Sequence, residues 1–136
     1  MKKLSLFLLF ILTLCSCTKE INNINDFSKF STMTKETDKI DVTFDNHSGS
    51  PFYFTIDNQK EINEIMDIIF SLTFIKKNGE VNPGSNSSIK IIQDENSYSM
   101  NTTRIYESNN IYYVFSTDDL DLKINKLAIE AGAFDL

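Results

Sequence analysis

Apolar and polar residues alternate in two neighbouring segments of this chain. Every second residue is apolar between positions 40 and 44, and the same alternation returns between positions 52 and 56. Because successive side chains of a strand point to opposite faces of a sheet, each segment is predicted to be a half-buried strand. The residues between them, 46–51, are typical turn formers. The pattern therefore predicts an antiparallel β-hairpin.

Two other segments have the apolar spacing of amphipathic helices. In the first, apolar residues fall at i, i+3, i+4 and i+7 between positions 62 and 69, and Asn58 and Glu61 have the spacing of a helix-capping pair. The second follows Ser116 or Thr117, either of which can cap it. Its apolar stripe is formed by Leu120, Ile124, Leu127, Ala128 and Ala131. Each stripe must pack on another element, and a sheet face is the available partner.

Four further strands are predicted between the two helices, at residues 72–76, 88–93, 98–106 and 111–116. The element order is then ββαββββα. Short connections favour an antiparallel meander, and both helices are expected on one face of the sheet because each element has only one apolar side to bury. The predicted fold class is therefore α+β, in a single domain formed by residues 39–136.

The first residues of the chain have the pattern of an export signal. Two lysines precede residues 4–14, an almost unbroken apolar run of eleven residues. This run is too short to span a hydrocarbon core of ~30 Å as a helix. Residues 14–17, Leu-Cys-Ser-Cys, resemble the lipobox of bacterial lipoprotein precursors, whose cysteine is acylated before cleavage. The resemblance implies that residues 1–16 are a signal peptide and that lipid on Cys17 holds the exported protein on a membrane.

Residues 17–38 are predicted to be the lipidated cysteine followed by a flexible tether, because polar and charged residues are mixed with scattered Ile and Phe at no clear period. Phe27 and Phe30 are the side chains with which a partly ordered tether would dock on the domain. In an alternative, an ordinary signal peptide is cleaved nearby and Cys17 remains a thiol. The lipoprotein resemblance also implies the outer membrane in a cell with two membranes, because Thr18 replaces the aspartate that often retains lipoproteins in the inner one.

The charge of the chain is acidic and excludes several classes of partner. The 13 basic and 19 acidic residues give −6, and removal of the two lysines of the signal leaves 11 against 19, or −8. Such a surface repels nucleic acid and anionic headgroups, and makes a cationic partner the better hypothesis. The alternative is that the charge serves only to keep a small exported protein soluble. Without its first strand, the predicted element order resembles that of TATA-binding-protein-like two-layer folds over about residues 52–133. The charge nevertheless argues against DNA binding.

Few residues indicate catalysis or metal binding. His47 is the only histidine, and a Ser/His/Asp triad around it would be crowded into one turn, which rarely provides the required geometry. Asp118, Asp119 and Asp121 lack the glycine and glutamate spacing of a calcium loop, so favourable interaction with the helix dipole is the simpler interpretation. Phosphate-loop, zinc-ligand and nucleophile-elbow motifs are absent. We therefore expect no catalytic residue, no metal site and no cofactor.

All five tyrosines of the chain fall on predicted strands. If both helices cover one face of the sheet with the apolar residues of the hairpin, Tyr53 and Thr55 point to the bare face. Either Tyr112 or Tyr113 must also lie outward, because adjacent strand residues oppose each other. Our candidate binding face is Tyr53, Thr55 and Tyr112. Tyrosine is enriched in protein-binding surfaces, although it is also a good strand former on any half-exposed sheet.

These observations favour a membrane-anchored lipoprotein with a small non-catalytic domain that captures a protein or peptide in the cell envelope. An inhibitor or immunity-type protein that neutralises a cationic partner would have these properties. The alternative is a structural or accessory lipoprotein of an envelope complex, which would expose an apolar patch rather than a charged one. Nucleic acid is not an expected partner of either kind of protein.

Overall fold

An antiparallel sheet forms the main part of the structure. The computed structural model describes residues 19–45, 50–76, 87–115 and 118–133. Its strands are β1 (Glu20–Ile21), β2 (Lys39–Phe44), β3 (Phe52–Ile56), β4 (Phe74–Lys76), β5 (Ser88–Gln93), β6 (Asn96–Asn101), β7 (Arg104–Glu107) and β8 (Asn110–Val114). Its helices are α1 (Gln59–Ser71) and α2 (Asp118–Glu130). The predicted α+β class is confirmed.

The strands lie in the order β1-β4-β8-β7-β6-β5-β2-β3, and all neighbours among them are antiparallel. Strands β5 to β8 form the predicted meander. The hairpin of β2 and β3 joins it through β2, whereas β4 joins at the other end, beside β8. The sheet is therefore not one continuous meander, because β4 does not pair with either strand of the hairpin that precedes it.

The predicted order ββαββββα is wrong in the number of strands. The resemblance to the TATA-binding-protein-like element order depended on that number, so it does not hold for the observed order. The segment expected to be one strand over 98–106 forms two, β6 and β7, with a turn at Thr102 and Thr103. Asn101 explains the turn, because its Oδ1 accepts hydrogen bonds from the backbone N–H of Thr103 at 3.0 Å and from its hydroxyl at 2.7 Å. Such an Asx turn competes with an extended backbone. The chain also contains β1, which the sequence pattern did not indicate.

The helices pack as their sequence spacing predicts. In α1 the four apolar residues of the stripe are all completely buried, and Asn58 Oδ1 accepts from the backbone N–H of Lys60 and Glu61 at 3.0 and 3.3 Å. In α2 the predicted stripe is buried except for Ala131. The buried residues of both helices belong to the same core as the alternate residues of the strands. No helix in the described ranges is long and apolar enough to cross a membrane.

The segment expected to be a flexible tether is instead part of the core over the residues described. Five of its apolar side chains are at most 8% exposed: Ile21, Ile24, Phe27, Phe30 and Met33. Two short 3₁₀ helices, Ile24–Asp26 and Ser28–Phe30, bury Ile24 and Phe30, and Phe27 lies between them. Asn25 Nδ2 donates to the carbonyls of Phe30 and Met33 at 2.7 and 2.9 Å. The recurrence at every third residue is the period of 3₁₀ turns. The prediction of a tether and of a domain beginning at residue 39 is therefore wrong for residues 19–38.

Candidate functional site

Side chains that point away from the core form one continuous row across the sheet. Partners in antiparallel register lie on the same face, so the row can be followed from strand to strand. From β3 to β4 it consists of Tyr53, Thr43, Ser88, Asn101, Arg104, Tyr113 and Ile75. We call this side of the sheet the open face; it also includes the residues two positions away on the same strands, such as Thr55 and Tyr106.

Three of the five tyrosines lie on the open face. The side chains of Tyr53 and Tyr106 are 68% and 55% exposed, and Tyr113 is partly exposed. Tyr98 and Tyr112, in contrast, are 8% and 7% exposed and belong to the core. A tyrosine presents a large apolar ring and a polar hydroxyl, which is the combination that protein-binding surfaces use.

The prediction that Tyr112 belongs to the binding face is wrong, whereas Tyr53 and Thr55 point outward as predicted. The ring of Tyr112 packs edge-to-face on that of Phe27, with centroids 5.0 Å apart. Tyr113 takes the outward position. Alternation requires that the two neighbouring tyrosines oppose each other, but the choice between them depends on what covers each face. Tyr112 is the buried one because Phe27 packs on it, and Phe27 belongs to the segment that was predicted to be a tether.

A polar cluster lies in a shallow groove at the β3 end of the open face. Thr55 Oγ1 donates to Asp41 Oδ1 at 2.8 Å, and Lys39 Nζ is 4.0 Å from the same oxygen. The groove has a volume of about 470 Å³, and Tyr53 and Thr43 also line it. The hydrogen bond fixes the side chain of Thr55, while the neighbouring tyrosine ring stays available for contact.

The other end of the open face combines an aromatic ring with a positive charge. The Arg104 guanidinium carbon lies 5.7 Å from the centroid of the Tyr106 ring, within the range of a cation–π interaction. Tyr106, Arg104 and Tyr113 were not chosen for this face from the sequence. The first two could have been found, because they are the neighbours of the apolar residue Ile105 on a strand and therefore point to the opposite face. The charged residues on this side of the described strands are Lys39, Lys90, Arg104, Asp41 and Glu20. The acidic surplus of the chain is therefore not located on the open face.

Among the described residues, two ionisable groups outside the open face have shifted pKa values. A hydrogen bond from Lys123 at 2.6 Å, reinforced by its charge, lowers the pKa of Glu64. Because Glu64 belongs to α1 and Lys123 to α2, this pair connects the two helices. Burial lowers the pKa of Lys29, and the charge of Glu107 partly opposes that shift.

The remaining candidate residues give little further information. Cys17 and His47 lie outside the described residues, as does the side chain of Asp118. In the described ranges, no group of three or more His, Cys, Asp or Glu side chains is arranged to hold a metal ion. Comparison with known proteins finds no matching family model, no matching curated protein and no matching solved structure. The function must therefore be inferred from the surfaces of this chain alone.

Proposed function

We propose that this protein is a lipid-anchored bacterial lipoprotein whose small non-catalytic domain captures a protein or peptide in the cell envelope. The observation that carries the proposal is the exposure of Tyr53 and Tyr106 on one side of a sheet whose other side is buried. In this proposal the two helices and the segment 19–38 cover the buried side together. Their inclusion in a single core supports that arrangement.

The composition of the open face supports a binding role. Tyrosine contributes large contact area and loses little side-chain entropy on binding, because it has only two rotatable side-chain bonds. Four of the six open-face positions on β5 and β6 are small and polar, namely Ser88, Ser97, Ser99 and Asn101, and the other two are Lys90 and Ile92. Small polar side chains provide adaptable hydrogen bonds at the same kind of surface.

The position of the N-terminal segment changes what the proposed anchor would do. The carbonyl of Lys19 accepts a hydrogen bond from the backbone N–H of Lys76 at 3.4 Å, so the sheet begins within two residues of Cys17. Two extended residues span only about 7 Å. A lipid on Cys17 would then hold the β1 edge of the domain directly at the membrane surface, instead of at the end of a long tether.

Two experiments test the anchor and the binding role separately. Labelling with a fatty acid should be abolished by Cys17→Ser; labelling that persists in this variant would remove the lipoprotein assignment. Cross-linking in native envelopes should capture one main partner, which the double substitution Tyr53→Ala/Tyr106→Ala removes. Leu122→Ala is the matched control, since Leu122 is also 68% exposed but lies on α2. Absence of any partner would contradict the binding role.

The accessory role is a second candidate, because apolar side chains on α2 and shortly before it are exposed. Phe115, Leu122 and Ile129 are 73%, 68% and 55% exposed, and the last two lie two turns apart on the same side of the helix. A partner lost with Leu122→Ala/Ile129→Ala, and kept with the tyrosine double substitution, would favour this candidate. The amount of this protein in the membrane should then fall when that partner is absent.

A further inference from the structure

Strand β3 has backbone hydrogen-bonding groups that no described strand uses. The backbone N–H of Thr102 donates to the carbonyl of Ser87 at 3.0 Å, which shows which residues form the hydrogen-bonded pairs between β5 and β6. In an antiparallel sheet these pairs occur at every second residue. The same alternation can be followed from β5 to β2 and from β2 to β3, because the registers of these strands are known. On β3 it places the N–H and C=O groups of Tyr53 and Thr55 at the outer edge, pointing away from β2.

The five residues of β3 lack the features that usually protect an outer strand, although Pro51 and Asp57 flank them. The sequence Phe-Tyr-Phe-Thr-Ile of β3 is five residues long and contains neither a charged residue nor proline. β1, at the opposite edge, has only two residues. Edge strands of soluble proteins are usually short, charged or interrupted, because an open row of N–H and C=O groups is a template for another strand. β3 is therefore the edge on which a further strand can be added.

Grooves lie on both sides of this edge. The groove of about 470 Å³ beside Tyr53 and Thr55 lies on the open face. On the other side, a smaller groove of about 160 Å³ is lined by Phe54 and Ile56 of β3 and by Leu127 of α2. The side chains of an added strand alternate between the two sides of the sheet, so each groove would receive every second side chain.

The smaller groove combines an apolar floor with an acidic rim. Leu127 contributes to the floor and is 6% exposed, while Asp57, Glu61 and Glu130 form the rim. Glu130 is 3.9 Å from Lys126, whereas the other two carboxylates make no ion pair with a described residue. A lysine or arginine side chain fits such a groove, because its aliphatic stem can lie on the floor while its charged end reaches the carboxylates.

We propose that β3 binds an extended cationic segment of a partner protein as an additional strand, with lysine or arginine side chains directed to Asp57 and Glu61. The proposal rests on the binding function proposed above and identifies the contact and the chemical class of the partner. Hydrogen bonds to the backbone of Tyr53 and Thr55 provide the attachment, and the acidic rim provides the preference for positive charge.

A second copy of this chain suits the edge less well than a cationic segment. Antiparallel pairing of two β3 strands would bring two chains of net charge −6 together and would place Phe54, instead of a cation, beside the acidic rim. The proposed anchor also favours a partner that approaches from the side of the domain that faces away from the membrane. Seven strand spacings of about 4.8 Å separate β3 from β1, so this edge lies on the order of 30 Å from the anchored one.

The test uses the full chain in a non-ionic detergent and a labelled synthetic peptide, acetyl-(Arg-Thr)₄-amide, which presents all its arginines on one side of an extended strand and its threonines on the other. Fluorescence anisotropy gives the affinity, and hydrogen exchange followed by mass spectrometry gives the site. We expect binding, with slower exchange in the peptic fragment that contains Tyr53 and Thr55. The control peptide acetyl-(Glu-Thr)₄-amide should not bind. Failure of the arginine peptide to bind at millimolar concentration would overturn the proposal.

Two protein variants separate backbone pairing from general attraction to charge. Thr55→Pro removes an outward N–H that β2 does not use, and should weaken binding at least about fivefold, while Thr55→Val should not. Glu61→Gln should weaken binding about two- to fivefold, and Glu20→Gln, the same change at the opposite edge, should have no effect. Equal effects of the two glutamine substitutions would mean non-specific attraction and would refute the proposed groove.

Further measurements remove the remaining ambiguities. Alternate N-methylation of the peptide backbone blocks strand addition without altering the protein, so it should abolish binding even if Thr55→Pro impairs folding. Concentration-dependent self-association that Thr55→Pro removes would assign the edge to a second copy and overturn the proposal. If the envelope partner depends on Tyr106 but binds equally to Thr55→Pro, the edge contact fails while the binding function stands. If no partner is found and the peptide does not bind, both fail.

Discussion

Replacement of Phe27 by alanine tests whether the N-terminal segment belongs to the folded domain. Phe27 is completely buried, and its ring packs edge-to-face on the rings of Phe74 and Tyr112, each with centroids 5.0 Å apart. Truncation of a buried phenylalanine to alanine costs about 3 to 5 kcal/mol, because apolar area is lost and a cavity remains. A domain of this size has a total unfolding free energy of about 5 to 15 kcal/mol. The substitution should therefore remove a large fraction of the stability.

Urea unfolding of the chain without its signal segment, followed by circular dichroism, measures this loss. With a dependence of about 2 kcal/mol per M urea, a loss of about 4 kcal/mol lowers the midpoint by about 2 M. If Phe27→Ala is already unfolded without urea, Phe27→Leu keeps most of the volume and should cost about 1 to 2 kcal/mol. Phe115→Ala is the control, because Phe115 is 73% exposed and should cost less than about 0.5 kcal/mol.

The outcome distinguishes two descriptions of the same residues. In a flexible tether Phe27 would have no fixed neighbours, so its removal would change the unfolding free energy no more than the removal of Phe115. Equal midpoints for the two alanine variants would therefore refute the packing of the segment on the sheet. A large difference would mean that residues before position 39 cannot be deleted from the domain without loss of stability.

Three other substitutions give expected results that can be measured in the same way. Gln93→Ala removes a buried amide that donates to the N-terminal segment at 2.6 Å and accepts from it at 3.2 Å, so the unfolding free energy should fall by about 1 to 3 kcal/mol. Asn101→Ala removes the two hydrogen bonds to Thr103, so the unfolding free energy should fall by about 1 kcal/mol and the melting temperature should fall with it. Because the pKa of Glu64 is lowered in the folded state, its pairing with Lys123 stabilises the protein above the ordinary glutamate pKa and is lost as the pH falls through the lower, folded value. Glu64→Gln should remove that part of the pH dependence of the melting temperature. If the melting temperature of this variant falls at acidic pH as steeply as that of the unsubstituted protein, the pairing does not contribute to stability.

The elements with strong local signals were predictable from the sequence. Helix α1 has apolar residues at helical spacing and a capping asparagine immediately before its first turn, and the structure uses both signals. Strand β2 buries its three apolar residues as its alternation predicts. In these elements the local pattern and the tertiary contacts favour the same conformation, so no knowledge of distant residues was needed.

The N-terminal segment was mispredicted because its period is neither that of an α-helix nor that of a strand. Apolar residues occur at positions 21, 24, 27, 30 and 33, a strict spacing of three. Runs of 3₁₀ structure are usually short, so this spacing is a weak signal when it is considered alone. The segment is ordered by its burial on the sheet, which a search for helical and strand periods does not detect.

Neighbouring strand residues posed a different difficulty. Alternation establishes that Tyr112 and Tyr113 point to opposite faces, and it establishes the same for Ile105 and Tyr106. It does not say which face is covered, since that depends on elements distant in sequence. For Tyr112 the decisive contact is with Phe27, 85 positions earlier in the chain. The open face was therefore predictable only in the hairpin, where three apolar residues on one side left Tyr53 and Thr55 on the other.

The open edge of β3 follows from the pairing order, which no local pattern contains. Had β4 paired with β3, the same five residues would form an inner strand, but β4 joins the sheet beside β8 and leaves β3 outermost. An uncharged outer strand of this composition favours uncontrolled pairing with other copies of the chain. Asp57 and Glu61 lie beside it, so the carboxylates that would attract the proposed cationic segment would also repel an acidic copy of the same chain. In the proposed strand addition, one pair of charges accounts both for an edge without a second copy on it and for the class of partner that would bind there.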